Sequence, residues 1–431
     1  MDAIPDPRFQ PFVVYHKRFL LWWGLSLFLC KLGSRRQLDF ELDARGTQVL
    51  DNLNRLAGTQ QDTRPVNKTL NYFLGRIGAE PVAELCRHLV RRLLRMRVLD
   101  RARLQGQWVV AIDGSGFLVF RERHCPHCLE WHCGESTYYL HQVLEAKLLG
   151  PEGLVISLGT VFIDNSDAAD TPADSSAEKR KQDCELKAFN RLDAQLTRHF
   201  PQLPICYSGD NLFACGRSLQ LARDSGRGYV FVFKPGRMPA VWQDFQSLLP
   251  LCPEQRLERV TPEGARQVYQ WVHDLSYTDE QKRSWSFTAI QCQETVDEQT
   301  TTWAWITDRE VTVRTVCDVA TKGGRHRWHL ENQGFNTQKN GGFNLEHAYS
   351  HRCWQAFYYL LQIAHLILQL LEKGSLLRRL AQELGQTPVQ LFGSLKNIAR
   401  RLLDSLRYLR IEDAAYDPAA AARIQIRLDS S

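Results

Sequence analysis

Neither apolar run of this sequence reads as a membrane span. Phe19 to Cys30 is an apolar run of about twelve residues flanked by Lys17, Arg18 and Lys31, whereas a bilayer needs about 20. No small-residue cleavage site follows it, which argues against a secretory leader. Trp354 to Leu371 is longer, but Gln355, Gln362 and Gln369 recur along it at seven-residue spacing. Such a stripe marks one polar edge on a mostly buried helix. A strong charge of either sign is also missing: the net charge is +6, too small by itself to name a polyanionic partner. The 12 cysteines are scattered, mostly in apolar contexts such as Cys30, Cys206 and Cys317. They read as reduced thiols of a cytoplasmic protein.

What is present is a chain of 431 residues, long for one core, with the 44% hydrophobic and 24% charged content of a globular protein. Its basic residues are not evenly spread. Arg35, Arg36, Arg87, Arg91, Arg92, Arg95, Arg97, Arg101 and Arg103 crowd the N-terminal part, and Lys373, Arg378, Arg379, Lys396, Arg400, Arg401, Arg407 and Arg410 the C-terminal part. Two basic flanks suit a long polyanion, although each cluster is equally compatible with a solvated helix face.

Up to about residue 105 the pattern is helical: Leu85, Leu89 and Leu93 fall at helical spacing, and Pro81 suits a first helical position. From about 107 the period changes. Strands are expected at 108–112, 137–149, 153–163, 203–207 and 229–233, with a hairpin at Gly150-Pro-Glu-Gly153. Residues 164–180 read as a loop, and 181–200 and 213–223 as helices. Three strands, helix, strand, helix, strand is the order of an RNase H-like fold, an α/β mixed sheet flanked by helices. In it the first and fourth strands lie side by side. Residues from about 238 to 300, with Gln267 to His273 and Trp285 to Gln291, read as a β-rich insertion, and Thr301 to Thr307 as a return to the core.

Three acidic residues stand out against that order: Asp113 after Trp108-Val-Val-Ala-Ile, Asp210 after Ile205-Cys-Tyr-Ser-Gly, and Glu331 in a polar, helix-compatible stretch. Singly, each has a plain explanation: Asp113-Gly114 as a turn, Asp210 as a helix cap, Glu331 as a solvated helix residue. Together, at converging strand ends, they form the oxygen donor set that two divalent ions need for phosphoryl transfer. Arg327 lies one helical turn before Glu331 and can pair with it or hold a phosphate, and Lys339 is a second candidate phosphate contact.

The blocks Val110-Ala-Ile-Asp113-Gly, Gln182-Asp-Cys-Glu185, Gly209-Asp210-Asn-Leu-Phe, Tyr229-Val-Phe-Val-Phe-Lys234 and Arg327-Trp-His-Leu-Glu331-Asn-Gln-Gly-Phe-Asn-Thr-Gln-Lys339 resemble those of DDE transposases from bacterial insertion sequences. They are similar to the group with a β-rich insertion between the second Asp and the Glu. The last block departs from the family's Tyr-(2)-Arg-(3)-Glu-(6)-Lys pattern, with Gly324 in the Tyr position and Lys339 one residue late. The resemblance implies Mg²⁺- or Mn²⁺-dependent cleavage and strand transfer of double-stranded DNA at transposon terminal inverted repeats; the alternatives are an RNase H-like nuclease without strand transfer and a non-catalytic DNA-binding or zinc-binding regulator. It also implies two ions held by Asp113, Asp210 and Glu331, DNA contacts from Arg327 and Lys339, and a bacterial, cytoplasmic homodimer. The expected organisation is a helical DNA-binding or dimerisation region (1–105), the first part of the core (106–237), the insertion (238–300), the completing part with the Glu (301–371) and a basic helical C-terminal region (372–431).

A separate constellation is His124-Cys125-Pro-His-Cys128-Leu-Glu-Trp-His132-Cys133. Cys125 and Cys128 have zinc-knuckle spacing, and His132 or Cys133 can complete a Zn²⁺ site. No second Cys pair lies at zinc-finger distance, so a plain reduced hairpin is the alternative. Trp242, Trp271 and Trp285 of the insertion can stack on an unpaired base or simply fill a core.

Overall fold

The computed structural model describes residues 1–43, 47–125, 128–165, 183–412 and 427–428. The loop expected at 164–180 therefore falls almost wholly outside the described residues. The chain packs as two compact units: Met1–Leu99 with Gln333–Ser431, and Asp100–Asn332.

The first unit is helical. Lys17–Leu29 packs on Trp354–Lys373, with Leu360 only 3.0 Å from where a Cβ on Gly24 would stand. Trp354–Lys373 also meets Asn67–Ile77, Glu80–Arg95 and Leu395–Tyr408. Two residues of its glutamine edge, Gln362 and Gln369, are buried: Gln362 exchanges hydrogen bonds with Gln338, whose amide also reaches His365 Nδ1 at 2.9 Å. Buried amides need such partners. Trp354–Glu383 has the length and composition of a membrane span, but 56% of its most apolar stretch is buried inside the protein. The compact units divide at residue 332, whereas the expected completing part of the core ran from 301 to 371. Residues 333–371 fall in the compact unit of the N-terminal helices, where Trp354–Lys373 buries apolar side chains all round.

The second unit is built on one mixed sheet of 11 strands. The strands are β1 (Arg103–Leu104), β2 (Gln107–Phe120), β3 (Leu129–Cys133), β4 (Ser136–Leu149), β5 (Val155–Ile163), β6 (Ile205–Gly209), β7 (Gly228–Val232), β8 (Arg256–Val260), β9 (Arg266–Thr278), β10 (Ser284–Val296) and β11 (Gln299–Thr307). Their order is β3-β4-β2-β6-β7-β11-β10-β9-β8, with β5 also on β4 and β1 on β2. β4 is long enough for β3 to pair with its first half and β5 with its second. β2 is antiparallel to β4 and parallel to β6, and β6 is parallel to β7. The insertion extends this sheet: β11 returns as expected and pairs with β7 through Trp305, Ile306 and Thr307. It also contains a helix, Pro239–Leu248.

Side chains alternate across a strand, and β6 shows which element covers each face. Tyr207 packs on Phe189 of the Glu185–His199 helix and donates to Asp193 Oδ1 at 2.6 Å. Its neighbour Ser208 turns the other way and bonds the carbonyl of Gly323, in the π-helical turn Val319–Gly324. Arg227 adds a second buried bond to Asp193, at 2.7 Å. The two covering segments are thus pinned to the central strands by polar as well as apolar contacts.

Candidate functional site

In the parallel pair of β2 and β6, Ala111 is registered with Ser208. Asp113 and Asp210 each follow two residues later, so both stand at the same carboxyl edge, where open α/β sheets bind ligands. Asp113 is not at a strand end, because β2 runs on beside β4 to Phe120. It is not in a hairpin turn either, and Asp210 does not cap the next helix. That helix begins at Gly216, while Asp210 Oδ1 accepts from the Leu212 amide at 2.8 Å, turning the chain sharply away from β6.

From the segment that covers the Ser208 side of the sheet come Arg327 and Glu331, one helical turn apart. The buried Arg327 guanidinium lies 2.6 Å from Glu331 Oε1 and 3.4 Å from Asp113 Oδ2. Glu331 lies in the π-helical stretch Leu330–Asn336, a form of helix concentrated at functional sites. The segment approaches closely because residues 323 and 324 are glycines. A Cβ on Gly323 would come within 2.6 Å of Val230, and one on Gly324 within 2.5 Å of the Trp305 indole nitrogen. The Tyr that the resemblance places at 324 has no room there, since Trp305 fills the space.

A fourth acid, Glu185, joins them from the first turn of the Glu185–His199 helix. Its carboxylate lies so close over Gly114 that a Cβ there would be 2.0 Å from Oε1. Sequence reading missed it as a site residue, although it ends a motif already noticed. Its position over Asp113-Gly114 depends on how the helix crosses the sheet.

Electrostatics tie the group together. Burial raises the Asp113 carboxyl to about 6; Arg327 opposes that rise, and Glu331 and Asp210 add to it. Burial raises Glu185 to about 7, with Asp113 and Asp210 adding to it. Arg327 pairs with two of the four carboxylates, Asp113 and Glu331, so the cluster is short of positive charge when ionised. Oxygen-only donors short of cations suit Mg²⁺ or Mn²⁺ rather than a softer ion. Lys339 belongs to the other unit, where it pairs with Glu346 at 3.1 Å.

The His/Cys cluster differs from expectation. The ligand atoms of His124, Cys125, Cys128 and His141 all lie within 4.8 Å of one another, a group that can hold a metal ion. His132 and Cys133 are not in it. They are exposed on β3, and His132 Nδ1 bonds Thr137 across the β3–β4 hairpin at 3.0 Å. The same antiparallel register, pairing Leu129 with Leu140, brings Cys128 opposite His141 instead. The signal for His141 was present as Cys-x₂-Cys-x₁₂-His, hidden because His141 sits inside a long strand.

The insertion tryptophans fill core positions: Trp271 and Trp285 are buried, and Trp242 packs on Phe233 and Phe245. The basic clusters are partly self-neutralised, with Arg87 paired to Glu80 and Glu84, Arg91 to Glu84 and Arg407 to Glu41. Compared with protein-family models and with curated proteins, the chain matches none.

Proposed function

We propose that residues 100–332 carry a DDE-type catalytic site on an RNase H-like core, and that the protein cleaves DNA strands and transfers them at the ends of a mobile element. One observation carries the reading: Asp113 and the Arg327–Glu331 pair lie in ion-pair reach at the carboxyl edge of adjacent parallel strands, with Asp210 and Glu185 near enough to act on Asp113 or be acted on by it electrostatically. The sheet supports it, since β5-β4-β2-β6-β7, with β4 antiparallel to its neighbours, is the strand order of an RNase H-like core. Asp113, Asp210 and Glu331, joined by Glu185, would hold two Mg²⁺ or Mn²⁺ ions, which when bound activate the attacking oxygen and stabilise the leaving one. Arg327 fixes the directions of the Asp113 and Glu331 carboxylates and offsets one of their charges. Hydrolysis at an element end yields a 3′-hydroxyl, which then attacks a target phosphodiester and displaces its 3′ oxygen.

The helical unit supplies a fitting surface for DNA. A cleft there is lined by Arg35, Arg36, Lys68, Arg76 and Arg352, and no acidic side chain is among its described lining residues. Such a surface favours phosphate backbones. The resemblance adds a homodimer acting on terminal inverted repeats.

The test is cleavage of DNA carrying the sequences that flank the gene, with Mg²⁺ or Mn²⁺. Asp113→Ala and Glu331→Gln are expected to lose activity by orders of magnitude while DNA binding persists. Glu346→Gln breaks only a surface pair with Lys339 and is expected to cleave like the parent. Equal losses at Glu331 and Glu346, or full activity in Asp113→Ala, refute the site. Cleavage without joining leaves a nuclease instead.

A further inference from the structure

His124, Cys125, Cys128 and His141 lie apart from the carboxylate cluster in chemistry. Two thiols and two imidazoles are a soft donor set that selects zinc over magnesium. Four of the six ligand-to-ligand distances already match one shared ion, and the whole set lies within 4.8 Å. Cys125 Sγ to Cys128 Sγ is 3.4 Å, Cys125 Sγ to His141 Nε2 3.5 Å, Cys128 Sγ to His141 Nε2 3.7 Å and Cys128 Sγ to His124 Nδ1 3.3 Å. Tetrahedral zinc with bonds of about 2.3 Å to sulfur and about 2.0 Å to nitrogen puts its ligands roughly 3.3–3.8 Å apart. Cys128 and His141 are buried, and the thiols are not joined to each other.

We infer that these four residues bind one zinc ion in a closed structural site that clips the β2–β3 connection to β4. All four positions of the tetrahedron come from the protein, which leaves none for water or substrate, so the site is a staple and not a second reaction centre. What it staples is specific. The Cys128 carbonyl accepts from Asn165 Nδ2 at 3.1 Å, and Asn165 Oδ1 accepts from the Asp183 amide at 3.4 Å. Asp183 in turn holds Arg191 of the Glu185–His199 helix. The clip therefore ends two residues before Glu185. The inference uses none of the carboxylates and does not depend on the proposed function.

The test is elemental analysis of the full chain, expressed and purified without chelators. One zinc per chain is expected in the parent and in His132→Ala/Cys133→Ser, and less than a tenth of that in Cys125→Ser/Cys128→Ser. Should the latter fail to fold, Co²⁺ substitution of the parent decides: thiolate-to-cobalt absorption with tetrahedral d–d bands is expected. Alkylation gives a third reading, with Cys125 and Cys128 protected until a chelator is added and Cys133 reactive throughout. A parent purified without zinc, a Cys125–Cys128 disulfide, zinc retained by the double serine variant, or cobalt bound without thiolate absorption would each overturn the inference. DNA cleavage is not among these readings, so their failure is separate from failure of the catalytic site.

Discussion

Replacing Glu185 by Gln gives a pH-dependent stability change whose sign and size follow from its position. The folded protein raises this carboxyl from 4.5 to about 7, chiefly through burial and then through Asp113 and Asp210. A folded-state value above the unfolded one means that the protonated form favours the fold. That contribution is full below about 4.5 and is lost as the pH rises through about 7. At roughly 1.4 kcal/mol per pH unit, the loss amounts to about 3 kcal/mol. Glutamine cannot ionise and escapes it. In buffer free of Mg²⁺ and Mn²⁺, Glu185→Gln is expected to be more stable than the parent by about 3 kcal/mol near pH 8, and nearly equal to it near pH 4.5. Urea unfolding followed by tryptophan fluorescence reads this, because most of the 11 tryptophans lie in residues 100–332. Added Mg²⁺ should narrow or reverse the difference at pH 8, since it rewards the carboxylate it binds. A variant no more stable than the parent at pH 8, or equally stabilised at both pH values, would refute the claim that Glu185 is held in a cation-poor cluster.

Gly114→Ala should fold normally, because the atom its Cβ meets is the movable end of Glu185, yet lose most DNA cleavage as that carboxylate is displaced; full activity would show that Glu185 has no set position in the reaction. Alanine at Arg36, Arg76 or Arg352 should weaken DNA binding for all sequences alike and lower the salt slope by about 0.9 per lost phosphate contact; salt titrations of affinity with an unchanged slope would exclude the cleft as the DNA surface.

The central strands were legible because they are buried on both faces. β2, β4, β5, β6 and β7 appear in the sequence as apolar, β-branched runs, and their order predicted that β2 and β6 would be neighbours. β3 was not legible: after Leu129 it reads Glu-Trp-His-Cys, largely exposed, and it exists as the partner of β4 rather than through its own pattern. Asp113, Asp210 and Glu331 could be picked out from apolar runs and a motif. Glu185 and His141 escaped notice, because a helix crossing and a hairpin register bring them in from a distance. The pairing of N- and C-terminal helices also left no local trace, since it rests on contacts such as Gly24 with Leu360.

The way the insertion joins the sheet has a consequence for synthesis. The outer edge of β7 is covered by β11, which lies beyond the whole of β8, β9 and β10 in the chain. A ribosome adding about 5–20 residues per second needs several seconds to travel from Val232 to Thr307. Until then a β7 already paired with β6 has no partner on its other edge, the feature by which strands recruit wrong partners. Completion moves the sheet's edge outward to β8, which is exposed and carries Arg256, Glu258 and Arg259. The nascent protein passes through a sticky stage and then closes it with a charged border.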